Sequence, residues 1–328
     1  MVWLKLVICI IIIFFAGQKV AKLGDIIAEK TGIGRVWMGV IALALITSLP
    51  ELFTGISAVT IVKAPDLTVG NLIGANTFNF FNLALLDVFH KHGSIFTNAS
   101  PSHKVTAWFS LLLLAIVAIG IFTGTTWGSP SIGWVGWFTP VLIFAYIFSE
   151  RQIYHYEQNH GKPPETPFYD ETISLKKTVL QFSIASIFIV GAGIWLAMIG
   201  DEIAVTTGWG QSFVGSLLIA FTTTLPEITV SFTALRIGAA DMAIANIVGS
   251  NLFNLSIIAI DDLFYTNGPL LDNVSLGNLV VAGSVAAMTL LFILGLYRKP
   301  KRYFRFTWLS ASIIIVFIVG AYFNFSLS

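Results

Sequence analysis

Ten stretches of mostly apolar residues follow one another along this chain, at roughly 2–20, 36–62, 67–88, 105–124, 132–149, 178–199, 211–235, 241–263, 274–297 and 306–325. A helix of about 20 apolar residues matches the hydrocarbon thickness of a bilayer. Charged residues are only 11% of the 328, against 56% hydrophobic, where a soluble chain carries about a quarter. So few charges cannot cover a soluble protein, and the pattern predicts an all-α polytopic membrane protein with ten transmembrane helices in a lipid bilayer. A cytosolic enzyme and a disordered scaffold are set aside. The net charge of +1 offers no basic patch to a nucleic acid. The single Cys9 permits no intramolecular disulfide and fits no metal-ligand spacing. The first run follows Lys5 and is followed by Gln18, Lys19 and Lys22 without a small-residue cleavage site, so it is expected to be a retained helix.

Connections between the runs are short except for 150–176, a polar stretch with Pro163, Pro164 and Pro167. It divides the chain into 1–149, a linker loop 150–176, and 177–328, each flanking part with five runs. If successive loops alternate sides, the amino-terminal side carries only Lys5 and Lys63. The other sixteen of the 18 basic residues, from Lys22, Lys30 and Arg35 to the group Arg298, Lys299, Lys301, Arg302 and Arg305, share the opposite side. Positive charge marks the cytoplasmic face. The linker is then cytoplasmic and both termini are extracytoplasmic, in a multi-pass plasma (inner) membrane protein.

The two halves repeat each other. A shift of 176 residues aligns Gly24-Asp25 with Gly200-Asp201, Gly39 with Gly215, Ala44 with Ala220, Thr47 with Thr223, and Leu49-Pro50-Glu51 with Leu225-Pro226-Glu227. A shift of 175 then aligns Asn71, Gly74, Asn76, Phe78 and Asn79 with Asn246, Gly249, Asn251, Phe253 and Asn254. Five spans is an odd number, so the second copy enters the membrane from the opposite side. Inverted repeats of this kind are characteristic of secondary transporters, whose sites lie near the midplane between the copies.

Glu51 and Glu227 each stand about twelve residues into an apolar run. An acid at mid-bilayer costs about 2.5–3.5 kcal/mol on insertion scales, and no lysine or arginine lies mid-span to offset it. Each acid follows a proline, which withholds an N–H from the carbonyl four residues back, Ile46 or Thr222. The hydroxyls of Thr47 and Ser48, and of Thr223 and Thr224, adjoin these interruptions. Carboxylates, hydroxyls, amides and carbonyls are hard oxygen ligands suited to calcium or sodium rather than zinc or copper. Asn76 and Asn79, and Asn251 and Asn254, pair at a spacing of three, so each pair projects from similar faces of its helix. These amides can coordinate an ion or tie helices together.

Asp87, Asp261 and Asp262 fall at the ends of their runs, where capping or solvation is expected. His90 and His92 are expected to face solvent. Trp37, Trp127, Trp134, Trp137 and Trp209 fall where interfacial anchors belong.

The paired segments TSLPE and TTLPE, with GNLIGANTFN and ANIVGSNLFN behind them, resemble the two alpha repeats of the sodium/calcium exchangers of the calcium/cation antiporter superfamily, in their compact prokaryotic form. The resemblance implies broken second, third, seventh and eighth helices that build four clustered cation sites at mid-membrane. It implies that Glu51 and Glu227 ligate calcium and sodium, that Thr47, Ser48, Thr223 and Thr224 contribute oxygens, that Ala44 and Ala220 offer backbone carbonyls, and that Asn79, Asn254 and Ser250 complete the ligand set. Ala75 stands where the family pattern often has serine, and Asn254 where some sodium-coupled members have aspartate. The expected function is exchange of Ca²⁺ for Na⁺ by alternating access, with cation/H⁺ antiport as the alternative. No enzymatic chemistry, cofactor or obligatory protein partner is expected; Ca²⁺ and Na⁺ are cargo. A membrane enzyme would need a catalytic dyad outside the repeats, and a passive channel would usually draw its symmetry from several subunits.

Overall fold

The structure is a computed structural model that describes residues 2–32, 34–90, 93–97, 99–160, 173–207, 220–299 and 307–327. Pro163, Pro164, Pro167, His92, Trp209, Gly215, Lys301, Arg302 and Arg305 lie outside the described residues. The architecture is all-helical apart from a two-residue antiparallel hairpin that pairs Ser131–Ile132 with Val135–Gly136.

Among the described residues, seven helices are long and apolar enough to cross a membrane: Val2–Thr31, Arg35–Val62, Pro65–Phe89, Ser102–Trp127, Leu175–Trp195, Ala240–Phe264 and Gly277–Arg298. Trp308–Phe323 is a shorter apolar helix. The run expected at 132–149 becomes helical only at Phe138, because Gly133, with φ of 64°, turns the hairpin before it. That helix then continues through the polar ERQIYHYEQNH to His160, so the stretch expected to be a loop from residue 150 starts as helix. Its polar last turns lower its overall hydropathy. The run at 211–235 is described from Ala220 onward, as Ala220–Thr223 and Leu225–Arg236.

Ala240–Phe264 is the axis of the molecule, with 94% of its apolar window buried. It packs against Arg35–Val62, Pro65–Phe89, Ser102–Trp127, Phe138–His160 and Leu225–Arg236. Its sequence is mostly apolar or small and its polar side chains are largely buried as well, as a helix surrounded by others requires. The outer helices show the reverse pattern. Phe15, Phe144 and Ile187 are 63%, 71% and 72% exposed, which suits side chains bathed in lipid rather than water.

Val2–Thr31 lies antiparallel to Leu175–Thr207. Lys5 pairs with Glu202 at 2.7 Å at one end, and Lys30 Nζ donates to the Ile173 carbonyl at 2.5 Å at the other. Cys9 is buried in this seam and its thiol faces the Ala192 carbonyl.

A close backbone approach joins the axis to the Arg35–Val62 segment. A Cβ placed on Gly249 would fall 2.7 Å from both Cα and O of Val40, and one on Gly39 would fall 2.7 Å from the Met242 carbonyl. Backbone atoms cannot yield as a flexible side chain would. Gly249→Ala is therefore expected to destabilise the protein by about 1–3 kcal/mol, the usual range for an overpacked core, seen as a lower unfolding temperature in detergent. Gly191→Ala, where a Cβ meets nothing within 4 Å, should not lower it, because alanine in a helix interior reduces the entropy lost on folding.

Candidate functional site

Both Leu-Pro-Glu segments interrupt their helices. In the first broken helix, Arg35–Val62, α-helix ends at Thr47, Ser48 is non-helical (φ −94°, ψ 6°), and helix resumes at Leu49 with proline in its first turn. Wide π-turns flank this region at Met38–Leu43 and Ala58–Val62, a local form that recurs at functional sites. The second broken helix stops at Thr223 and resumes at Leu225, again with proline in the first turn. Proline fits there because the first N–H groups of a helix have no intrahelical partner. Both interruptions face one point of the Leu175–Thr207 helix. A Cβ on Gly193 would lie 3.0 Å from Pro50 Cβ and 3.7 Å from Pro226 Cγ.

Each break places a glutamate at the start of the resumed helix, aimed inward and fully buried. The hydrogen-bond donors come from across the two halves. Ser48 Oγ donates to Glu227 Oε1 at 3.0 Å, and Ser250 Oγ reaches the same oxygen at 3.5 Å. Thr47 also stands beside Glu227, and Thr223 beside Glu51. The two carboxylates are close enough to feel each other's charge. No lysine or arginine pairs with either among the described residues.

The two asparagine helices, Pro65–Phe89 and Ala240–Phe264, are continuous and not broken as the resemblance implied, since neither has an internal proline, and they cross beside these acids. Asn76 Nδ2 donates to the Asn251 carbonyl at 3.2 Å, and Asn254 Nδ2 donates to Asn76 Oδ1 at 3.0 Å. Asn79 Nδ2 donates to Asn251 Oδ1 at 2.9 Å. The NH₂ groups of Asn79 and Asn254 are thus committed to the opposite helix, and their Oδ1 atoms are left without partners. Together with both oxygens of Glu51 and Oε2 of Glu227, these are buried acceptors with no hydrogen-bond donor among the described residues. Buried polar atoms are seldom left so. Asn251 Nδ2 is an unpaired donor at the same crossing, but the unpaired acceptors outnumber it, and such a cluster carrying two carboxylates is matched by a cation.

All the expected residues are fully buried: Ala44, Thr47, Ser48, Glu51, Asn79, Ala220, Thr223, Thr224, Glu227, Ser250 and Asn254. The hydroxyls differ in what they do. Thr47 is within 3.4 Å of Ser250 Oγ and of Asn246 Oδ1. Thr223 and Thr224 instead turn back onto the Ala220 carbonyl, at 3.3 and 3.0 Å. That carbonyl and the Ala44 carbonyl accept from donors of their own helices. Asn246 was not among the expected site residues. It links Thr47 to Ser231, donating to Ser231 Oγ at 2.9 Å, and its place in the repeat beside Asn71 was the available signal.

The helix-end aspartates part company. Asp87 caps the following loop, accepting from Ser94 Oγ, the Ile95 N–H, Thr307 Oγ1 and Ser310 Oγ. Asp262 does the same for Gly136, Thr139 and Leu270. Both are buried caps, not solvated ones. Asp261 is buried and has no partner for either oxygen among the described residues, contrary to the capping or solvated role expected of it. His90 closes a turn onto the Gly93 carbonyl. Trp127 is exposed, as an interfacial anchor would be, while Trp37 packs on Tyr154 with ring centroids 4.9 Å apart.

The asparagine crossing gives a direct test. Asn76→Leu leaves the Asn254 amide without its acceptor, which should cost about 1–3 kcal/mol, the penalty for stranding a buried polar group. The measurement is thermal unfolding of the purified protein. An unchanged midpoint would mean that Asn76 does not hold the crossing together.

The model of the family described as "Sodium/calcium exchanger protein" matches residues 1–149 and 177–326. The inner membrane protein YrbG of Escherichia coli is 24% identical over 261 residues, covering 77% of this chain and 76% of its own. The sodium/calcium exchanger MaX1 of Methanosarcina acetivorans is 24% identical over 279 residues, covering 74% and 77%. A solved structure of the sodium-calcium exchanger NCX_Mj, soaked with Na⁺ and Sr²⁺, superimposes with a TM-score of 0.73 at 20% identity over 97% of this chain and 98% of that one, which establishes a shared fold. The family model spans nearly the entire chain, and the chain belongs to the sodium/calcium exchanger protein family, a multi-pass membrane transporter and not an enzyme.

Proposed function

We propose that this protein exchanges Ca²⁺ for Na⁺ across the plasma (inner) membrane by alternating access. The observation that carries this is the pair of buried carboxylates, Glu51 and Glu227, set among acceptors that lack donors and with no lysine or arginine partner among the described residues. Two negative charges neutralise one Ca²⁺ or two Na⁺, so either load makes the site tolerable in lipid, and the loads compete for the same oxygens. Glu51, Glu227, Asn79 and Asn254 are the central ligands in this reading. Thr47, Ser48, Ser250, Thr223 and Thr224 add neutral oxygens, and the Ala44 and Ala220 carbonyls come into play when their present donors turn away.

The family name and the word exchanger in MaX1 and NCX_Mj support the antiport reading. Neutral hydroxyls and amides favour sodium as the coupling ion, because only the two glutamates of this set can carry protons. We further propose that 1–149 and 177–328 are inverted repeats of five spans each, ten in all, joined by the 150–176 linker. The cytoplasm lies on the side of that linker and both termini lie outside. The ion pair of Lys5 with Glu202 and the contact of Lys30 with Ile173 support this arrangement. Each joins two groups that the alternation assigns to one side.

In proteoliposomes, an inward sodium gradient at fixed pH is expected to drive calcium outward and uphill. Glu51→Gln and Glu227→Gln should each abolish this while the protein remains folded, since each removes a buried charge that has no ionic partner. Near-normal exchange in either variant would remove that acid from the ligand set. Calcium driven uphill by a pH gradient in sodium-free buffer, with no response to sodium, would replace sodium by protons as the coupling ion.

Metal binding to a carboxylate requires its deprotonated form. Calcium exchange is therefore expected to fall as pH is lowered, and raising calcium should restore it. Inhibition that calcium cannot relieve would place the titrating group outside the site. A reporter fused after Ser328 should be active only outside the cytoplasm, and one inserted near Pro164 only inside it. The opposite result would overturn the ten-span arrangement.

A further inference from the structure

Asp261 is an intramembrane acid that the central site does not use. It is fully buried, and neither of its oxygens has a hydrogen-bond partner among the described residues. No salt bridge reaches it among the described residues. Its neighbour Asp262 satisfies the adjoining loop with three hydrogen bonds, so the cap at this helix end is complete without Asp261. The carboxylate instead points at the first broken helix. A Cβ placed on Gly55 would collide with both carboxylate oxygens, lying 2.9 Å from Oδ1 and closer still to Oδ2. Gly55 is therefore a notch that admits the acid.

The position of this notch relative to the central site follows from helix geometry. Gly55 is four residues beyond Glu51, about one turn or 6 Å along the same helix. Asp261 is seven residues beyond Asn254, about two turns or 10 Å along its helix and on nearly the same face. Both helices run from the glutamate level toward the side holding the 131–136 hairpin. The charge distribution assigns that side to the exterior.

The repeat shows that the acid is one-sided. The counterpart of Asp261 is Leu86, and the counterpart of Gly55 is Ser231. In the second half Ser231 accepts from Asn246. In the first half glycine supplies no hydroxyl, and both side-chain atoms of Asn71, the counterpart of Asn246, are buried without partners. One end of the molecule thus holds an unpaired carboxylate where the other holds a leucine.

We propose that Asp261, in the notch left by Gly55, forms an outer staging position for a hard cation, Ca²⁺ or Na⁺, on the route between the exterior and Glu51. This rests on the exchange reading given above and adds a site to it. A lone carboxylate in a low-dielectric wall concentrates cations next to it, and doing so at one end only makes the exchanger respond more sensitively to external than to cytoplasmic ion.

The test is calcium exchange in proteoliposomes of known orientation, with half-saturation measured from each side. Asp261→Asn is expected to raise the external half-saturating calcium concentration about tenfold, the lower end of what charge focusing produces, and to leave the cytoplasmic value unchanged. Asp261→Leu, which installs the residue of the other repeat, should do the same. Gly55→Ala keeps the acid but fills the notch, and should reproduce the shift. Equal external values in wild type and variants would overturn the proposal, and so would equal shifts on both sides. Thermal unfolding controls for folding: Asp261→Asn is expected not to lower the midpoint, because the carboxylate accepts no hydrogen bond.

A wild type that moves no calcium would refute exchange and leave this site to a second measurement. In the Glu51→Gln/Glu227→Gln double variant, residual protection by CaCl₂ against thermal unfolding is expected, and adding Asp261→Asn should remove it. No residual protection would mean that Asp261 binds no cation.

Discussion

Two carboxylates buried in a lipid-embedded protein, with no basic side chain among the described residues to answer them, set the terms for everything around them. An acid at this depth costs about 2.5–3.5 kcal/mol on insertion scales, and facing a second acid adds repulsion. Chains tolerate such an arrangement where an exchangeable counter-charge completes it. The proline breaks open the backbone at Ser48 and Thr224 just where the glutamates begin their helices. The breaks also bring hydroxyls from one half to the acid of the other. A continuous helix would keep its carbonyls and hydroxyls bonded to itself, and would have nothing to offer an ion.

The asparagines divide their labour by chemistry alone. An amide has two donors and one acceptor oxygen. Asn79 and Asn254 spend donors on the opposite helix, which fixes their orientation and leaves the oxygens bare. Asn76 and Asn251 receive those donors, and Asn76 also bonds the Asn251 backbone. The pair that receives at the crossing and the pair left with bare oxygens are three residues apart on each helix. The orientation of those oxygens and the helix packing are therefore secured by the same set of bonds.

Much of this was legible beforehand. Apolar runs led to a helical membrane protein, and the 176-residue repeat singled out Glu51 and Glu227, which the structure buries beside helix breaks, because periodicity and the cost of buried charge act locally. Matters decided by contacts between distant segments were not legible. Asn79 and Asn76 look alike in sequence, and only the partner across the crossing tells the amide with a bare oxygen from the one bonded at both ends. Asp261 and Asp262 are adjacent acids at one helix end, yet one is a satisfied cap and the other faces a glycine more than 200 residues away. The helix of Phe138–His160 also outran its apolar segment, since a helix end can project into water once its buried turns are anchored.

The seam between Val2–Thr31 and Leu175–Thr207 bears on how the chain is made. The first helix has its most extensive packing partner in the second half, with Lys5 and Glu202 fastened across it. During synthesis that helix enters the bilayer long before its partner exists. Its Gly17 face, which finally meets Thr229, must wait in lipid until the chain has grown by some 200 residues. The halves are copies in sequence, but neither is a self-sufficient unit of assembly. Halting translation after the fifth helix would leave the first without its main neighbour, and the order of insertion differs from the order of folding.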